Sequence, residues 1–446
     1  MSDLLLEPAY GKDLKCLAGD CPENCCMEWI IDIDDATAAY YRTVPGEFGE
    51  ELRTWMRMGG KPLTEAEIKT PATAEAAIDP TEAQPGTDTA SGAEPGSEAP
   101  QAAAGAPAPD GRDVLDESGL FTGTSSTTFA LNGKNCPYLQ EDGLCRLRLT
   151  LGYEHTSETC REHPFNTEEY DGFAERSPSV SCPEVVRLVF ETPVNETYPD
   201  APTDSSDSVL NILAQTRNAM LSAEAFDESL SLDVHILDLI RRVSLIQPGL
   251  NDAAPDYAFD FSDDIASQLI SGFEEFRAVD ETPLLLALQD FCLFLRENLS
   301  ILTDRWKGEL EGVQTKVFDC DCGMGGGSLA DADDCAAAGT ADSSSPASPC
   351  SFGHFLDSYA MELSRLYAYY IYRYFLKAVN DCAAPAWAGF AAAGAIIPAF
   401  LSWANGTSLK KTAAWYSREI EHDGENAEKI LDFFRENLSE DWEDFT

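Results

Sequence analysis

Cationic side chains are in short supply. The 446-residue chain has 30 Lys and Arg against 78 Asp and Glu, with five His, for a formal net charge of −48. Without surplus cations to displace phosphate counterions, the composition argues against nucleic-acid binding. The opening MSDLLLEPAY has neither the basic start nor the apolar stretch of a secretory leader. Long apolar runs are also missing. A membrane-spanning helix needs ~20 mainly apolar residues. Only 383–404 is uncharged over such a length, and Pro385, Gly389, Gly394 and Pro398 interrupt it. A buried pair of core helices is the expectation there, with no membrane span and a cytoplasmic protein. No strand–GxGxxG–helix unit occurs. The one glycine run, MGGGS at 324–328, lies in low-complexity sequence and reads as a linker.

What is present is enough apolar sequence for a soluble globular fold, 44% hydrophobic residues. Residues 70–126 carry ten acids, one arginine and almost no bulky apolar side chains, so they are expected to be a disordered insertion. A second low-complexity insertion covers 320–350. The acidity therefore belongs mostly to the folded part. It serves either as a solubilising surface or as an attraction for a basic, lysine-bearing partner.

Between the insertions the texture changes twice. WIIDI after Met27 reads as a short strand, Asp34–Asp35 as a helix start running to Tyr41, and EFGEELRTWMRM as a second helix stopped by Gly59–Gly60. Asp142–Gly143 marks a turn, Ser157 can cap a short helix containing Cys160, and EEYDGFAERS reads as a hairpin about Asp171–Gly172. From 207 onward amphipathic helices dominate, among them SVLNILAQTRNAML, DIASQLISGFEEF, PLLLALQDFCLFLRENL and NAEKILDFFREN. The apolar stripe of 353–380 is rich in tyrosine. Tyrosines at that spacing belong to a core rather than a pocket. The expected fold is mainly α, with a small irregular α+β cysteine-rich module (1–69 and 127–191) packed on a helical domain (207–319 and 351–446).

Fourteen cysteines in a reducing compartment are poor disulfide candidates. Eight of them flank the first insertion. Cys16, Cys21, Cys25 and Cys26 form a C-x4-C-x3-C-C run, and Cys136, Cys145, Cys160 and Cys182 follow. They stand where short turns can aim several thiolates at one point. Soft thiolates select zinc, Cu(I) or iron–sulfur, and four suffice for one tetrahedral zinc or one four-iron cluster. Eight therefore permit two sites, or one site with spares. His155 and His163 flank Cys160 as alternative ligands or hydrogen-bonding neighbours. Cys320, Cys322, Cys335 and Cys350 are loop thiols, and Cys292 and Cys382 small core residues.

The run CPENCC, followed by CPYL, GLC and TCREHPF, resembles a CxxCxxCC family described as a zinc- or iron-chelating domain, although Cys16–Cys21–Cys25 is more widely spaced. With LKCLAGDCPENCCMEW at the start, LYAYYIYRYFLKAVND at 366–381 and YSREIEHDGEN at 416–426, the chain more closely resembles the flagellin lysine-N-methylase family. The resemblance covers about 1–60, 127–190 and 353–437. It implies methyl transfer from S-adenosylmethionine to lysine ε-amines of a flagellin-like protein substrate. It also implies a metal centre on the cysteine module, an iron–sulfur cluster of the 4Fe-4S type, with zinc as the alternative. Such a transfer needs a neutral amine, whereas lysine titrates near ~10.4. Groups that could assist are Tyr416, Glu421 and His422, together with Tyr367 and Tyr370. For Glu421 and His422 a solvated helix end near Gly424 is the competing expectation. The radical-type CxxxCxxC triplet is absent, because Cys26 directly follows Cys25. Polar transfer is therefore expected. The rival reading is a non-enzymatic metal-binding or interaction protein.

Overall fold

A computed structural model describes residues 4–58, 60–63, 127–261, 263–301, 303–316 and 351–438. Both expected insertions, and with them Cys320, Cys322, Cys335 and Cys350, lie outside the described residues. The fold is mainly α. Its described residues form two compact units, one from Cys25 to Glu162 and one comprising the residues up to Asn24 and those from His163 onward.

The larger unit opens with strand β1 (Leu5–Leu6). In the smaller unit, helix α1 (Asp35–Thr43) begins at Asp34, whose Oδ1 accepts the Thr37 N–H at 2.9 Å as an N-cap. The other oxygen, Oδ2, accepts the Glu158 N–H at 2.8 Å, so one carboxylate also anchors a distant segment. Helix α2 (Gly46–Trp55) packs so closely on the end of α1 that a Cβ at Gly49 would fall 1.8 Å from the Val44 carbonyl oxygen. The expected second helix is shorter than its sequence suggests. After Trp55 the chain turns into β2 (Met56–Met58), which pairs antiparallel with β3 (Lys61–Pro62) and β4 (Thr127–Phe129) in the order β3-β2-β4. WIIDI is not a regular strand. It meets β4 through an isolated bridge at Asp32–Thr128 and hydrogen bonds from Phe129 N to Ile31 O and from Ile33 N to Thr127 O. Ile31, Ile33, Tyr41, Leu52, Met56, Phe129, Tyr138 and Leu147 form this unit's core. Two short helices complete it, α3 (Arg146–Leu151) and α4 (Glu158–Glu162).

In the larger unit the expected hairpin is β5 (Phe165–Tyr170) and β6 (Phe173–Pro178), with β1 parallel to β6 in the register Leu5↔Ala174. Helix α5 (Pro183–Glu191) follows. Phe173, Val185, Val186 and Val189 are buried in the helical core, so 163–191 belongs to the larger unit and the boundary falls earlier than the sequence suggests. The remaining helices are α6 (Ser208–Leu221), α7 (Leu232–Ala253), α8 (Asp263–Ala278), α9 (Thr282–Asn298), α10 (Asp304–Lys316), α11 (Phe352–Ser358), α12 (Ala360–Tyr374), α13 (Ala384–Asn405), α14 (Leu409–Ile420) and α15 (Gly424–Asn437). The apolar run expected to be a helix pair is the single helix α13, which runs through Pro398. The missing Pro398 N–H leaves the Gly394 carbonyl without its helical donor, while the Pro398 carbonyl accepts from Thr412 Oγ1 at 2.9 Å. Among the described residues α13 is the one helix long and apolar enough to cross a membrane. Seventeen of its 22 residues are buried inside this unit, as a core helix requires.

Candidate functional site

Two polar clusters stand out, one in each unit. In the smaller unit Cys26, Cys136, Cys145 and Cys160 line a single cavity of about 20 Å³, together with Ile31, Tyr41, Phe129, Tyr138, Leu147, Thr156 and Ser157. That is room for a water or one ion as the side chains stand. Local structure explains the convergence. The Cys136 N–H donates to the Cys26 carbonyl at 2.7 Å, Cys145 is the residue before α3, and Cys160 sits in α4, where its N–H donates to Ser157 Oγ at 3.3 Å. Cys26 hydrogen-bonds through its thiol to Cys136, and then to Cys25. These bonds, with burial added, hold its proton well above the ordinary thiol range. The same bond pulls Cys136 below that range against the opposing effect of burial, making it the thiolate-prone member of the pair. Burial raises Cys145. Cys160 is exposed as a residue, yet the protein around its inner side pushes its thiol up to about 12, opposed by the Ser157 hydrogen bond.

Among the described residues no three His, Cys, Asp or Glu side chains are drawn together tightly enough to hold a metal ion. The chemistry of the set nevertheless suits a soft metal. Four thiols face one cavity, none of the described cysteines is in a disulfide, and two cavity-lining phenols, Tyr41 and Tyr138, have buried hydroxyls with no hydrogen-bond partner among the described residues. The eight-cysteine set is divided. Cys25 joins the cavity cysteines through Cys26, whereas Cys16, Cys21 and Cys182 belong to the larger unit. Cys182 is the N-cap residue of α5 and packs at the edge of the helical core. His155 stacks on Tyr40 with ring centroids 4.5 Å apart, away from the cavity lining, and His163 is in the larger unit. Cys292 and Cys382 lie in the helical core, as expected.

The second cluster contains the residues proposed from sequence for catalysis. Glu421 ends α14 but is not a solvated helix end, for its side chain is fully buried. Its Oε2 accepts from Tyr369 Oη at 2.8 Å and Tyr374 Oη at 2.9 Å, and pairs with Arg373 Nε at 2.9 Å. Arg373 Nη1 donates to the carbonyl and hydroxyl of Ser177 at 2.9 and 2.8 Å. The Val180 N–H donates to Tyr369 Oη at 3.2 Å. His422 Nε2 lies 3.1 Å from Ser179 Oγ and 2.9 Å from Ser181 Oγ, and Ser179 Oγ lies 3.0 Å from Ser417 Oγ. The rings of His422 and His163 are 5.8 Å apart. Burial lowers both histidines to about 3. For His422 the adjoining Arg373 and Arg418 add to it, for His163 His422 and Arg418, and both rings are therefore neutral. Glu421, Arg373, Tyr369 and His422 thus clamp the turn 177–181 that leads into Cys182.

Tyr416 is buried near this clamp, its hydroxyl without a hydrogen-bond partner among the described residues, as is Tyr370. Tyr367 and Tyr370 are core residues, as the spacing of the tyrosine stripe suggests. Sequence reasoning missed Arg373 and the serines Ser177, Ser179, Ser181 and Ser417. The signal for Arg373 is a lone guanidinium inside the aromatic run YYIYRYF. The serines carry no local signal, because a hydroxyl acquires its role only from the partner that tertiary packing delivers.

Fold and site together define a mainly α protein with a thiol-lined cavity in a small unit and a buried charged clamp in a helical one. Comparison with known proteins narrows the kinship. Over 187 residues, 42% of this chain and 77% of the relative, it is 25% identical to the flagellar biosynthetic protein FliU of Salmonella muenchen. Over 104 residues, a fifth of this chain, it is 34% identical to the lysine-N-methylases of Salmonella typhimurium and Salmonella choleraesuis, and it spans about a quarter of their length. No family model matches, so the chelating-domain resemblance gains no support there, and no solved structure matches.

Proposed function

We propose that this chain is a protein-lysine N-methyltransferase that uses S-adenosylmethionine and carries a thiolate-held metal centre in its smaller unit. The observation that carries the reading is the 34% identity to lysine-N-methylases over 104 residues. The cysteine cavity supports the metal part of it. Cys26, Cys136, Cys145 and Cys160 would hold the centre with Cys25 beside it, as an iron–sulfur cluster, for which the side chains would have to move apart, or, in the alternative, as a single zinc, for which the cavity of about 20 Å³ has room. S-adenosylmethionine supplies an electrophilic methyl group on a sulfonium. The lysine ammonium first gives a proton to water. Its lone pair then attacks the methyl carbon, and the C–S bond breaks as the C–N bond forms, the electron pair leaving on the neutral thioether sulfur of S-adenosylhomocysteine. Desolvation of the amine in a closed site favours its neutral form. The substrate is a lysine-bearing, flagellin-like protein, to which the acidic surface gives long-range attraction. Glu421 Oε2 and His422 Nε2 hold the 177–181 turn in the buried clamp, so we assign these two residues positioning roles, although Glu421 Oε1 is buried with no hydrogen-bond partner among the described residues.

The test is anaerobic isolation of the full chain, with metal and sulfide analysis and mass spectrometry of a lysine-rich flagellin incubated with S-adenosylmethionine. Brown protein containing iron and sulfide, and 14 Da increments on lysine, are expected. Serine substitutions at Cys26, Cys136, Cys145 and Cys160 should abolish metal retention, whereas Cys292→Ser should leave it intact. A colourless zinc protein that transfers no methyl group would instead make the cysteine unit a structural metal module. Methylation rates should fall as ionic strength rises, and a flat salt dependence would refute acidic recognition.

A further inference from the structure

Tyr41 and Tyr138 are the unusual part of the cysteine cavity. Both are almost wholly buried, at 0% and 1% exposure, and both line the cavity. Neither phenolic hydroxyl has a hydrogen-bond partner among the described residues. A buried hydroxyl without a partner forfeits its hydration and is normally avoided. Here there are two in one small wall, and both line the cavity that Cys26, Cys136, Cys145 and Cys160 also line. The rings cannot easily swing away. Tyr138 meets Phe129 edge-on at 5.1 Å and Phe48 at 5.9 Å, and Tyr41 stacks on Phe129 at 5.9 Å.

We infer that Tyr41 and Tyr138 are positioning residues that donate O–H···S hydrogen bonds to the thiolates of a metal centre held by Cys26, Cys136, Cys145 and Cys160. This rests on the metal reading proposed above but assigns residues that reading does not use. Metal binding deprotonates the thiols. The resulting negative charge is concentrated on sulfur in an otherwise apolar cavity, and a donor held against it lowers the cost of that charge. The two orphaned hydroxyls gain their partner when the metal arrives. Outer partners of this kind are typically worth about 10–100-fold in metal affinity.

The consequence is a crossed effect that a purely structural tyrosine would not produce. Tyr41→Phe and Tyr138→Phe remove an unsatisfied buried hydroxyl from the metal-free protein and a hydrogen bond from the loaded one. Zn²⁺ affinity is measured on the full chain by chelator competition, the thiolate-to-metal absorption is read with Co²⁺, and the melting temperature is recorded for the metal-free form. Each variant should bind Zn²⁺ about tenfold more weakly and shift the Co²⁺ absorption, while the metal-free melting temperature stays level or rises. Tyr40→Phe, at a tyrosine that does not line the cavity, should leave the affinity unchanged. Wild-type affinity in both phenylalanine variants would overturn the inference alone. Wild-type protein that binds neither Zn²⁺ nor Co²⁺ would overturn the metal reading with it. A fall in metal-free stability would show that the hydroxyls already have partners, and would also sink the inference.

Discussion

Removing the Glu421 carboxylate tests whether the clamp on the 177–181 turn is a structural commitment or a site kept for chemistry. Glu421 and Arg373 have side chains 0% and 4% exposed, so neither charge is screened by water. Deleting one partner of such a pair costs about 3–5 kcal/mol, because the other is left charged in a medium of low polarity. The phenols of Tyr369 and Tyr374 lose their acceptor in the same step. Arg373 keeps Ser177 as a partner, which offsets part of the loss. Glu421→Leu should therefore destabilise the larger unit by about 4 kcal/mol. Glu421→Gln retains an acceptor oxygen and should cost about 2 kcal/mol. The double variant Arg373→Met with Glu421→Leu should recover most of the deficit, since replacing a buried pair by apolar side chains is often nearly neutral. Urea unfolding followed by tryptophan fluorescence measures all three, because Trp306 and Trp387 are buried in the helical core. A loss below about 1 kcal/mol for Glu421→Leu is the scale of an exposed pair such as Arg242–Asp238. It would refute the reasoning. Loss of methyl transfer in Glu421→Gln with unchanged stability would return the carboxylate to a catalytic role.

The two buried histidines give a pH dependence of defined sign. Their folded values of about 3 lie below the ordinary 6.5, so between these pH values the unfolded chain holds the extra protons and stability falls as pH is lowered. The slope is at most about 1.4 kcal/mol per pH unit for each histidine, and melting curves of His422→Asn between pH 7 and 4 should be shallower than those of the wild type. Equal slopes would contradict it. Tyr369→Phe, which cuts the link between Val180 N and Glu421, should accelerate alkylation of Cys182 several-fold relative to Cys292, whereas Tyr370→Phe, whose hydroxyl has no partner, should not. Cysteine-resolved mass spectrometry decides between them, and equal rates in the two variants would refute the link. Gly394→Ala would place a Cβ 2.6 Å from the Tyr370 ring and should cost about 1–3 kcal/mol, whereas Gly272→Ala, with open space around it in α8, should gain about 0.5–1 kcal/mol in urea unfolding.

Helical periodicity is a local property, and the helices were accordingly legible. SVLNILAQTRNAML became α6 and NAEKILDFFREN lies within α15. Ser157 at the start of α4 and the Asp171–Gly172 hairpin were equally local, decided by cap and turn chemistry over a few residues. Where the reading failed, distant partners had prevailed. Met56–Met58 continues the helical pattern of α2 but pairs with Thr127–Phe129, some seventy residues away, because the sheet offers its backbone hydrogen bonds and buries Met56. Pro398 suggested a break, yet α13 runs through it because nearly the whole helix is buried in the core of the larger unit, which outweighs the one hydrogen bond the proline removes.

Composition and pattern alone therefore determined the mainly α class, the core character of the tyrosine stripe and the presence of a soft-ligand cysteine set. Each follows from residue type and spacing along the chain. Which cysteines share a cavity, and the conversion of Glu421 and His422 from an apparent surface end into a buried clamp, were decided by the tertiary structure. Burial and a hydrogen-bonding partner are relations between segments far apart in sequence, and no local pattern encodes the distance at which they meet.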